Sequence, residues 1–380
     1  MTKPAVLAAA LLVLLAGCRS DDRTSATIAS VGHVAQPNYT VKIPVPPAPV
    51  RIAAPQPLVA AIEAIGTQFD GKVGIAVQSI NQGWTVSSNG EVKLPQQSVS
   101  KLWVAITMLD LRDQGRLTLD DPVTVTKADL TLFHQPIAGL VGDNGYRTTV
   151  RDLQYRAITS SDNTANDRLL SYVGGPEAVR AMIARKQLGA IRFGPGERLL
   201  QSHTAGLTWQ QRYSLAGAFQ QARAALSPAT RAAAFDAYVA DPIDGASANA
   251  IVDALARLVK GELLSPSSTQ WLIKTMSETR TGAARLRASL PGGWSIAHKT
   301  GTGQDFGRRT AGFNDVGVLT APDGRRYTVA VMIGDTSRPV RERQQLIQSV
   351  ARAVIATDTE RAGMVVAQQP APMSSSRGAN

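Results

Sequence analysis

The sequence predicts an α+β domain at residues 58–360, in which both ends of this segment form one antiparallel sheet packed with helices and the middle forms an all-helical subdomain. Alternating apolar residues, which are typical of strands, occur near 73–88 and again near 295–333. Helical periodicity fills the residues between them, and no βαβ alternation is present. The strands at the two ends therefore have to pair with each other.

The elements of this sheet follow in chain order. A helix is predicted over 58–69, and a hairpin comes next, with its turn at 81–83 and its second strand from Trp84. Three further strands and a closing helix are predicted at 295–297, 315–319, 327–333 and 341–355.

The composition excludes several classes of protein. Of 380 residues, 44% are hydrophobic and 18% are charged, which is typical of a folded, soluble domain and not of a disordered chain or a membrane bundle. The net charge of +11 could attract an anionic partner, but like charges form no long run and only 5% of residues are aromatic. We therefore predict a basic solvated surface and no nucleic-acid binding.

The amino-terminal segment predicts export. Lys3 precedes an apolar stretch at 5–15, which is too short to span a bilayer and fits the apolar region of a signal peptide. The sequence Leu-Ala-Gly-Cys at 15–18 resembles the lipobox of bacterial lipoproteins, although an ordinary signal peptide can also end in a cysteine. We predict a signal peptide at 1–17 and lipid on Cys18, the only cysteine, which also excludes an internal disulfide. Arg19 is not the aspartate that retains lipoproteins at the inner membrane of relatives, so we expect the periplasmic face of the outer membrane.

Both flanks of the domain are predicted to be unpacked. Residues 18–57 are polar and then proline-rich, which favours an extended tether. Residues 361–380 have no periodic apolar face and are predicted to be a disordered tail.

The first motif with chemical meaning joins Ser98 and Lys101 at the start of a predicted helix that ends at Gly115. Residues i and i+3 share a helix face, so the lysine amine can reach the serine hydroxyl. The helix N-terminus offers N–H groups to a developing oxyanion. The pair therefore predicts a serine nucleophile, but Ser-x-x-Lys alone is a weak pattern.

Two more motifs follow further along the chain. Ser161-Asp162-Asn163 comes after a helix whose start near Thr149 is arranged like a capping box. Lys299-Thr300-Gly301 ends a predicted strand, where the glycine lets a ligand backbone come close and the other two residues offer a charge and a hydroxyl to a carboxylate. A similar tripeptide at 280–282 has no strand before it, so it is left out of the predicted site.

The three motifs occur in the order typical of class A β-lactamases and penicillin-binding proteins, and residues 58–358 resemble a class A β-lactamase. Further similar segments lie at 157–166, 174–176, 261–264 and 298–303. The resemblance implies a β-lactamase/transpeptidase-like fold. It also implies hydrolysis of penicillins and cephalosporins through a Ser98 acyl-enzyme, which confers antibiotic resistance without a cofactor. We expect a monomer whose small-molecule partners are β-lactam antibiotics.

The resemblance assigns roles to the motif residues. Ser98 attacks the lactam carbonyl, and its proton goes to Lys101 or, through a water, to Glu197. The N–H groups of Ser98 and Thr302 form the oxyanion hole, and Ser161 passes a proton to the leaving nitrogen. The substrate is bound by the Asn163 amide and, at its carboxylate, by Lys299, Thr300 and Thr302, while Gly301 lets it come close to the strand.

A glutamate distinguishes a β-lactamase from a peptidase with the same motifs. Glu197-Arg198-Leu199-Leu200-Gln201 resembles the family's Glu-x-x-Leu-Asn on its Ω loop, so Glu197 is the expected base for deacylation, with a solvated loop glutamate as the alternative. Gln201 keeps the amide that holds the water but adds a methylene. Asp167 stands where many relatives have asparagine and, with Gln97, resembles the extended-spectrum branch; simple loop packing is the alternative.

Three other features lie near the implied cleft. Arg285 is either a second carboxylate-binding arginine or an exposed arginine at a helix end, and Phe133 or His134 is either a cleft wall or core packing. The family's Asp-Pro-x-Asp segment is matched only at 241–244, which indicates an insertion at about 203–240. We expect its two helices, 209–225 and 228–239, to rest on the surface, although they could widen or cover the cleft.

No two histidines lie at metal-ligand spacing, so no metal is predicted. Two alternative functions remain open from the sequence. One is a penicillin-binding D,D-peptidase that uses Ser98, Lys101, Ser161 and Lys299, and the other is a non-hydrolysing lipoprotein that binds β-lactams or peptidoglycan. Both require that Glu197 does not act as a base.

Overall fold

The computed structural model describes the backbone of residues 52–367 and the side chains of residues 52–359. The predictions for the signal peptide, the lipid on Cys18, the tether up to residue 51 and the tail beyond 367 lie outside these residues. No helix of the described backbone is long and apolar enough to cross a bilayer.

The strands between residues 52 and 367 form one large sheet and three short pairs. In chain order they are β1 (Lys72–Ser79), β2 (Thr85–Ser88), β3 (Leu94–Pro95), β4 (Pro122–Val125), β5 (Tyr146–Thr149), β6 (Gly245–Ala246), β7 (Ser295–Thr302), β8 (Asp305–Phe306), β9 (Arg309–Thr310), β10 (Phe313–Thr320) and β11 (Arg326–Asp335). The large sheet has the order β2-β1-β11-β10-β7, and the short pairs are β3-β6, β4-β5 and β8-β9.

The two ends of the domain meet in the large sheet, as the sequence predicts. The first strand, β1, pairs antiparallel with the last strand, β11, over residues 72–79 and 327–335. It also pairs with β2 in the predicted hairpin, whose turn is closed by the Ser79 N–H donating to the Trp84 carbonyl at 3.0 Å. The α+β fold with an antiparallel sheet is confirmed.

Helices cover both faces of this sheet and build the subdomain beside it. The α-helices are α1 (Gln56–Gln68), α2 (Lys101–Asp113), α3 (Val150–Thr159), α4 (Asn163–Tyr172), α5 (Gly175–Arg185), α6 (Glu197–Thr204), α7 (Ala218–Ala225), α8 (Pro228–Ala240), α9 (Ala248–Val259), α10 (Pro266–Ser277) and α11 (Val340–Ala367). Short 3₁₀ helices lie at Gln97–Ser100, Lys127–Asp129, Pro136–Leu140, Gln211–Ser214 and Leu286–Ser289.

The sheet separates two hydrophobic cores because strand side chains alternate between its faces. On β11, Val329, Val331 and Ile333 belong to the core that includes residues of α1 and α11. Ala330 and Met332 belong to the larger core on the other face, which surrounds α2. Residues 101–110 of α2 are all buried, so this helix is fixed on every side at the centre of the molecule.

Two predicted boundaries are wrong. The closing helix α11 continues to Ala367, so the predicted tail is helical over 361–367; the first proline after this helix begins is Pro370, and nothing earlier forces it to end. In the insertion, the predicted helix 209–225 is divided into the 3₁₀ turn 211–214 and α7. Gly217, with φ +79°, interrupts it, because the left-handed backbone cannot continue a right-handed helix.

Candidate active site

Ser98 and Lys101 lie where the 3₁₀ turn 97–100 passes into α2. In a 3₁₀ turn the side chains at i and i+3 lie directly above one another. Lys101 accordingly donates from Nζ to Ser98 Oγ at 2.7 Å. Because Lys101 is fully buried and α2 is packed on all sides, the amine is held against the hydroxyl.

Glu197 reaches the same lysine from the opposite wall of the site. It is the first residue of α6, its exposed fraction is 3%, and its carboxylate forms an ion pair with Lys101. Lys101 also donates to Asn163 Oδ1 at 2.9 Å. The alternative of a solvated loop glutamate does not fit this burial. One amine thus joins the serine, the glutamate and the asparagine.

Gln201 lies one helical turn after Glu197, on the same buried face of α6. Its Nε2 donates to Gln97 Oε1 at 2.9 Å and lies 3.4 Å from Glu197 Oε2. Gln97 has a left-handed backbone (φ +54°) and donates in turn to the Tyr238 hydroxyl at 2.7 Å. The extra methylene of Gln201 is therefore accommodated by an amide network, and the side chain stays beside Glu197.

Ser161 and Asn163 are positioned by Asp162 between them. The Asp162 carboxylate accepts from Ala165 N at 2.9 Å, which caps α4, and from Ile137 N at 2.7 Å. Ser161 has φ +58°, a rare conformation for a residue other than glycine, and its hydroxyl accepts from Lys299 Nζ at 2.9 Å. This strained turn aims the serine at the end of β7.

Lys299 lies on β7, opposite Val316 of β10, and is fully buried at this end of the site. Burial lowers its pKa well below the usual value, and the positive charge of Lys101 acts in the same direction. An anion beside Lys299 would offset both effects, which makes this end of the site suited to a carboxylate.

Arg285 lies against β7 and is buried, so the alternative of an exposed arginine is wrong. Its guanidinium stacks on the Phe313 ring at 3.8 Å and donates to the Gly301 carbonyl at 2.9 Å and to Thr302 Oγ1 at 2.5 Å. Burial lowers its pKa to about 10. Arg285 thus borders the cleft and also holds the strand that carries Thr302.

Glycine is required at position 301 by the protein's own backbone, whereas the sequence predicts that it lets a ligand come close. A Cβ on this residue would lie 2.3 Å from the Gln96 carbonyl oxygen, in the chain just before Ser98. The space is occupied by the protein's own backbone and not left for a ligand. Gly301 therefore sets the distance between β7 and the turn that carries the nucleophile.

These groups open into one cleft of about 470 Å³. Its lining includes Ser98, Ser161, Asn163, Glu197, Gln201, Arg285, Thr300 and Thr302, together with Phe133, His134, Arg223, Thr281, Gly282, Gly303, Gln304 and Asp305. Lys101 and Lys299 lie beneath it through their bonds to the two serines. Phe133 is 43% exposed and belongs to the cleft wall rather than the core. Among residues 52–359, no cluster of histidine, cysteine or acidic side chains could hold a metal ion.

Four side chains of this lining were not predicted from the sequence: Arg223, Thr281, Gln304 and Asp305. Thr281, from the tripeptide left out of the predicted site, exchanges a hydrogen bond with Thr300 through hydroxyls 2.7 Å apart. Gln304 donates to the Gln201 carbonyl at 2.7 Å, and Arg223 of the insertion donates to Gln304 Oε1 at 3.0 Å. No strand precedes Thr281, and Arg223 lies outside every motif, so no local pattern marked them.

The expectation that the insertion only rests on the surface is therefore wrong. Phe235, Tyr238 and Val239 of α8 pack on Leu200 of α6. Phe219 of α7 contacts the Phe133 ring edge-on, with the ring centres 5.2 Å apart. Burial of these aromatic side chains holds α7 beside the cleft and brings Arg223 into it.

Known proteins are similar to this chain over most of its length. The model of the β-lactamase enzyme family matches residues 57–357. The chain belongs to the β-lactamase enzyme family. It is 30% identical over 292 residues to the extended-spectrum β-lactamase PER-1 of Pseudomonas aeruginosa, covering 77% of this chain and 84% of that protein. β-Lactamase VEB-1 of the same organism is 25% identical over 291 residues, 77% of this chain and 87% of that protein.

Solved structures of β-lactamases have a similar fold. The TLA-1 extended-spectrum β-lactamase superposes with a TM-score of 0.65 at 26% identity, covering 78% of this chain and 96% of that one. A β-lactamase from Chitinophaga pinensis gives 0.66 at 27% identity, covering 79% and 99%. This chain is thus a class A β-lactamase that hydrolyses β-lactams and confers resistance to them. The D,D-peptidase and the non-hydrolysing lipoprotein are not favoured.

Asp167 of this β-lactamase caps the helix that carries Glu197. Its carboxylate, on α4, accepts from the N–H groups of Glu197 at 2.8 Å and Arg198 at 3.1 Å. These are N-terminal donors of α6 that the helix itself cannot satisfy. Burial and the charge of Glu197 raise the pKa of Asp167. The aspartate thus holds the start of α6, which is more than loop packing.

We expect Asp167→Ala to lower the free energy of unfolding by about 1 to 3 kcal/mol, because two donors lose their acceptor in a buried site. If Glu197 is the base for deacylation, deacylation should slow more than acylation, because Glu197 loses its fixed position while Ser98 and Lys101 do not. Urea denaturation and stopped-flow nitrocefin kinetics measure the two effects. Asp167→Asn keeps one acceptor oxygen, so its stability and its deacylation rate should lie between those of the wild type and Asp167→Ala. An Asp167→Ala protein with wild-type stability would contradict this account.

Asp244 gives the β-lactamase a pH-dependent stability. It is fully buried below the nucleophile turn, where it accepts from Gln97 N at 2.8 Å and the Tyr238 hydroxyl at 2.9 Å. Burial raises its pKa from 3.8 to about 6. Between these values the unfolded chain has released this proton while the folded chain keeps it. The contribution of Asp244 to stability is therefore full below pH 3.8 and is lost as the pH rises through 6.

We expect the free energy of unfolding, relative to that of Asp244→Asn, to fall by about 2 kcal/mol between pH 4 and pH 7. The asparagine variant removes this ionisation and keeps one acceptor oxygen, so the difference isolates Asp244. Urea denaturation at several pH values measures it. A difference that does not change with pH would show that Asp244 titrates alike in both states.

Proposed function

We propose that this β-lactamase hydrolyses penicillins and cephalosporins through an acyl-enzyme on Ser98, with Glu197 as the base that activates the deacylating water. The observation that carries this proposal is the buried chain of contacts from Ser98 Oγ through Lys101 Nζ to the Glu197 carboxylate. It supplies a nucleophile, a base beside it and a second base on the far side.

Acylation begins with the loss of the Ser98 proton. A proton passed from Lys101 to Glu197, which are in direct contact, leaves an amine that accepts the proton of Ser98. Ser98 Oγ then attacks the lactam carbonyl, whose oxygen is stabilised by the N–H groups of Ser98 and Thr302. One such donor typically lowers the barrier by about 3 to 4 kcal/mol.

Ring opening needs a proton on the lactam nitrogen. Ser161 supplies it, because its hydroxyl lines the cleft and is hydrogen-bonded to Lys299, which can restore the proton. Lys299, Thr300 and Thr302 bind the carboxylate of the substrate, with Thr281 orienting the Thr300 hydroxyl. Arg285 supports this end through Thr302.

Deacylation uses the other wall of the cleft. Glu197 takes a proton from a water that attacks the acyl carbonyl, and the Gln201 amide, fixed by Gln97, positions that water. Asn163 binds the side-chain amide of the substrate. Its Nδ2 donates to the Leu132 carbonyl at 2.9 Å and keeps a second N–H for the ligand.

Substrate range and location are part of the same proposal. The extended-spectrum names of PER-1 and TLA-1, with Asp167 and Gln97 in this chain, support a range that includes later cephalosporins. The Leu-Ala-Gly-Cys sequence supports lipid on Cys18, and Arg19, in place of the aspartate that retains lipoproteins at the inner membrane, supports the periplasmic face of the outer membrane. Radioactive palmitate should label the full chain, and a Cys18→Ala chain should stay unlabelled.

The test of the mechanism combines nitrocefin turnover with intact-mass measurement of the full chain. We expect many turnovers per enzyme and, in a rapid quench with benzylpenicillin, one adduct on the peptide that contains Ser98. A protein that stops at one stable adduct would instead be a penicillin-binding peptidase or sensor.

A further inference from the structure

The helical insertion places a positive charge in the active-site cleft. Arg223, on α7, is half-buried, lines the cleft and donates from Nη1 to Gln304 Oε1 at 3.0 Å. Its guanidinium also lies 6.0 Å from the centre of the Phe219 ring. Among residues 52–359, no carboxylate forms an ion pair with Arg223; Asp305, which is exposed, acts on it only through its charge.

The guanidinium of Arg223 has hydrogen-bond donors that residues 52–359 do not use. Burial lowers the pKa of Arg223, and the nearby positive charge of Arg231 lowers it further. A guanidinium carries five N–H donors, of which the described residues accept one hydrogen bond. The remaining N–H groups are available to an anionic group that enters the cleft.

The place of Arg223 in the cleft indicates which part of a substrate it meets. In the proposed mechanism, Lys299 and Thr300 hold the carboxylate on the ring system of the β-lactam. The acylamino side chain leaves the lactam ring beside the scissile carbonyl, on the far side from that carboxylate. It therefore extends from Ser98 away from Lys299. Gln304, which lies beyond the end of β7 and is fixed by the Gln201 carbonyl, borders this other end.

We propose that Arg223 and Gln304 form a subsite that selects β-lactams whose acylamino side chain carries a carboxylate of its own. The inference rests on the proposed hydrolysis at Ser98 and specifies the substrate class of the same site. Arg223 binds the second carboxylate, and Gln304 orients the guanidinium through its amide. The insertion thereby acts on specificity, because it supplies the cation.

Two cephalosporins with the same nucleus and the same vinyl group test this subsite. Cefixime carries a carboxymethyl group on its oxime, whereas cefdinir has the free oxime. Both are measured as competitors of nitrocefin with the full chain, so slow substrates are also quantified. We expect Arg223→Gln to lower kcat/KM for cefixime about tenfold relative to cefdinir. Arg223→Lys should retain part of this preference.

Arg212→Gln is the matched control, because it removes the same charge from an exposed arginine of the same insertion outside the cleft lining. It should leave the cefixime-to-cefdinir ratio unchanged. Equal losses for both compounds in Arg223→Gln would show that Arg223 only orients Gln304, and an unchanged ratio would show no anion subsite; either result overturns the proposal.

Salt provides a second measurement, which needs no variant. Attraction between Arg223 and a carboxylate is screened by ions, so the wild-type preference for cefixime should fall as NaCl is raised from 20 mM to about 500 mM. A preference that salt does not change overturns the proposal even if Arg223→Gln fails to fold. Absence of nitrocefin turnover in the wild type would instead mean that the proposed hydrolysis itself fails.

Discussion

A Glu197→Gln protein is expected to be acylated at Ser98 and then to release product about a thousand times more slowly than the wild type. The amide keeps the volume of the carboxylate and an oxygen that accepts from Lys101, so the site should stay assembled. It cannot take a proton from water, so hydrolysis of the acyl-enzyme loses its base. Intact-mass measurement after mixing with benzylpenicillin should show one adduct that persists for minutes.

The rate at which this adduct forms identifies the base for acylation. Glu197 and Lys101 form a buried ion pair, and removing one charge makes the other costly. Lys101 should nevertheless stay beside Ser98 Oγ in the variant. If Lys101 is the base, the adduct should form nearly as fast as in the wild type. If Glu197 acts through a water, acylation should slow together with deacylation.

Two control variants test where the adduct forms and whether the effect is specific to Glu197. Ser98→Ala should acquire no adduct, which places the acyl group on Ser98. Glu177→Gln makes the same change at an exposed glutamate on α5, paired with Arg180, and should turn over like the wild type. Steady turnover by Glu197→Gln at the wild-type rate would show that Glu197 is not the base.

Local patterns were sufficient to predict the sheet and the position of the three motifs. The hairpin between β1 and β2 follows from alternating apolar residues and a turn that ends in Gly83, which has φ +76°. The cap at Thr149, whose hydroxyl accepts from Asp152 N, follows from side-chain chemistry within one turn of helix. Both depend on residues that are neighbours in the sequence, and for that reason the sequence shows them.

The rest depends on contacts between distant segments. Arg223 enters the cleft because Phe219 meets Phe133 and α8 packs on α6, and no local pattern specifies either contact. Arg285 is buried because Phe313 lies beneath its guanidinium. The family resemblance covered the site but not the insertion, which has no counterpart in the spacing that the resemblance implies.

The need for glycine at position 301 also depends on a contact between distant segments, β7 and the Gln96 carbonyl. We expect Gly301→Ala to lower kcat/KM about a hundredfold, because a displacement of about 1 Å at a catalytic site costs that much. The added Cβ would lie 2.3 Å from the Gln96 carbonyl oxygen and 3.1 Å from Asn314 Nδ2. Neither neighbour can move freely: the Gln96 carbonyl also accepts from Asn314 Nδ2 at 3.0 Å, and Asn314 belongs to β10. The strand β7 must therefore move away from the turn that carries Ser98.

Such a shift separates the two halves of the site, because Lys299 and Thr302 lie on β7 while Ser98 and Lys101 do not. Nitrocefin kinetics and thermal unfolding, measured together, distinguish lost geometry from lost folding. Gly292→Ala is the matched control, since its added Cβ meets no atom within 4 Å in the exposed loop before the same strand. Wild-type kinetics in Gly301→Ala would mean that β7 and the Ser98 turn can separate without cost, and that their spacing is not what assembles the site.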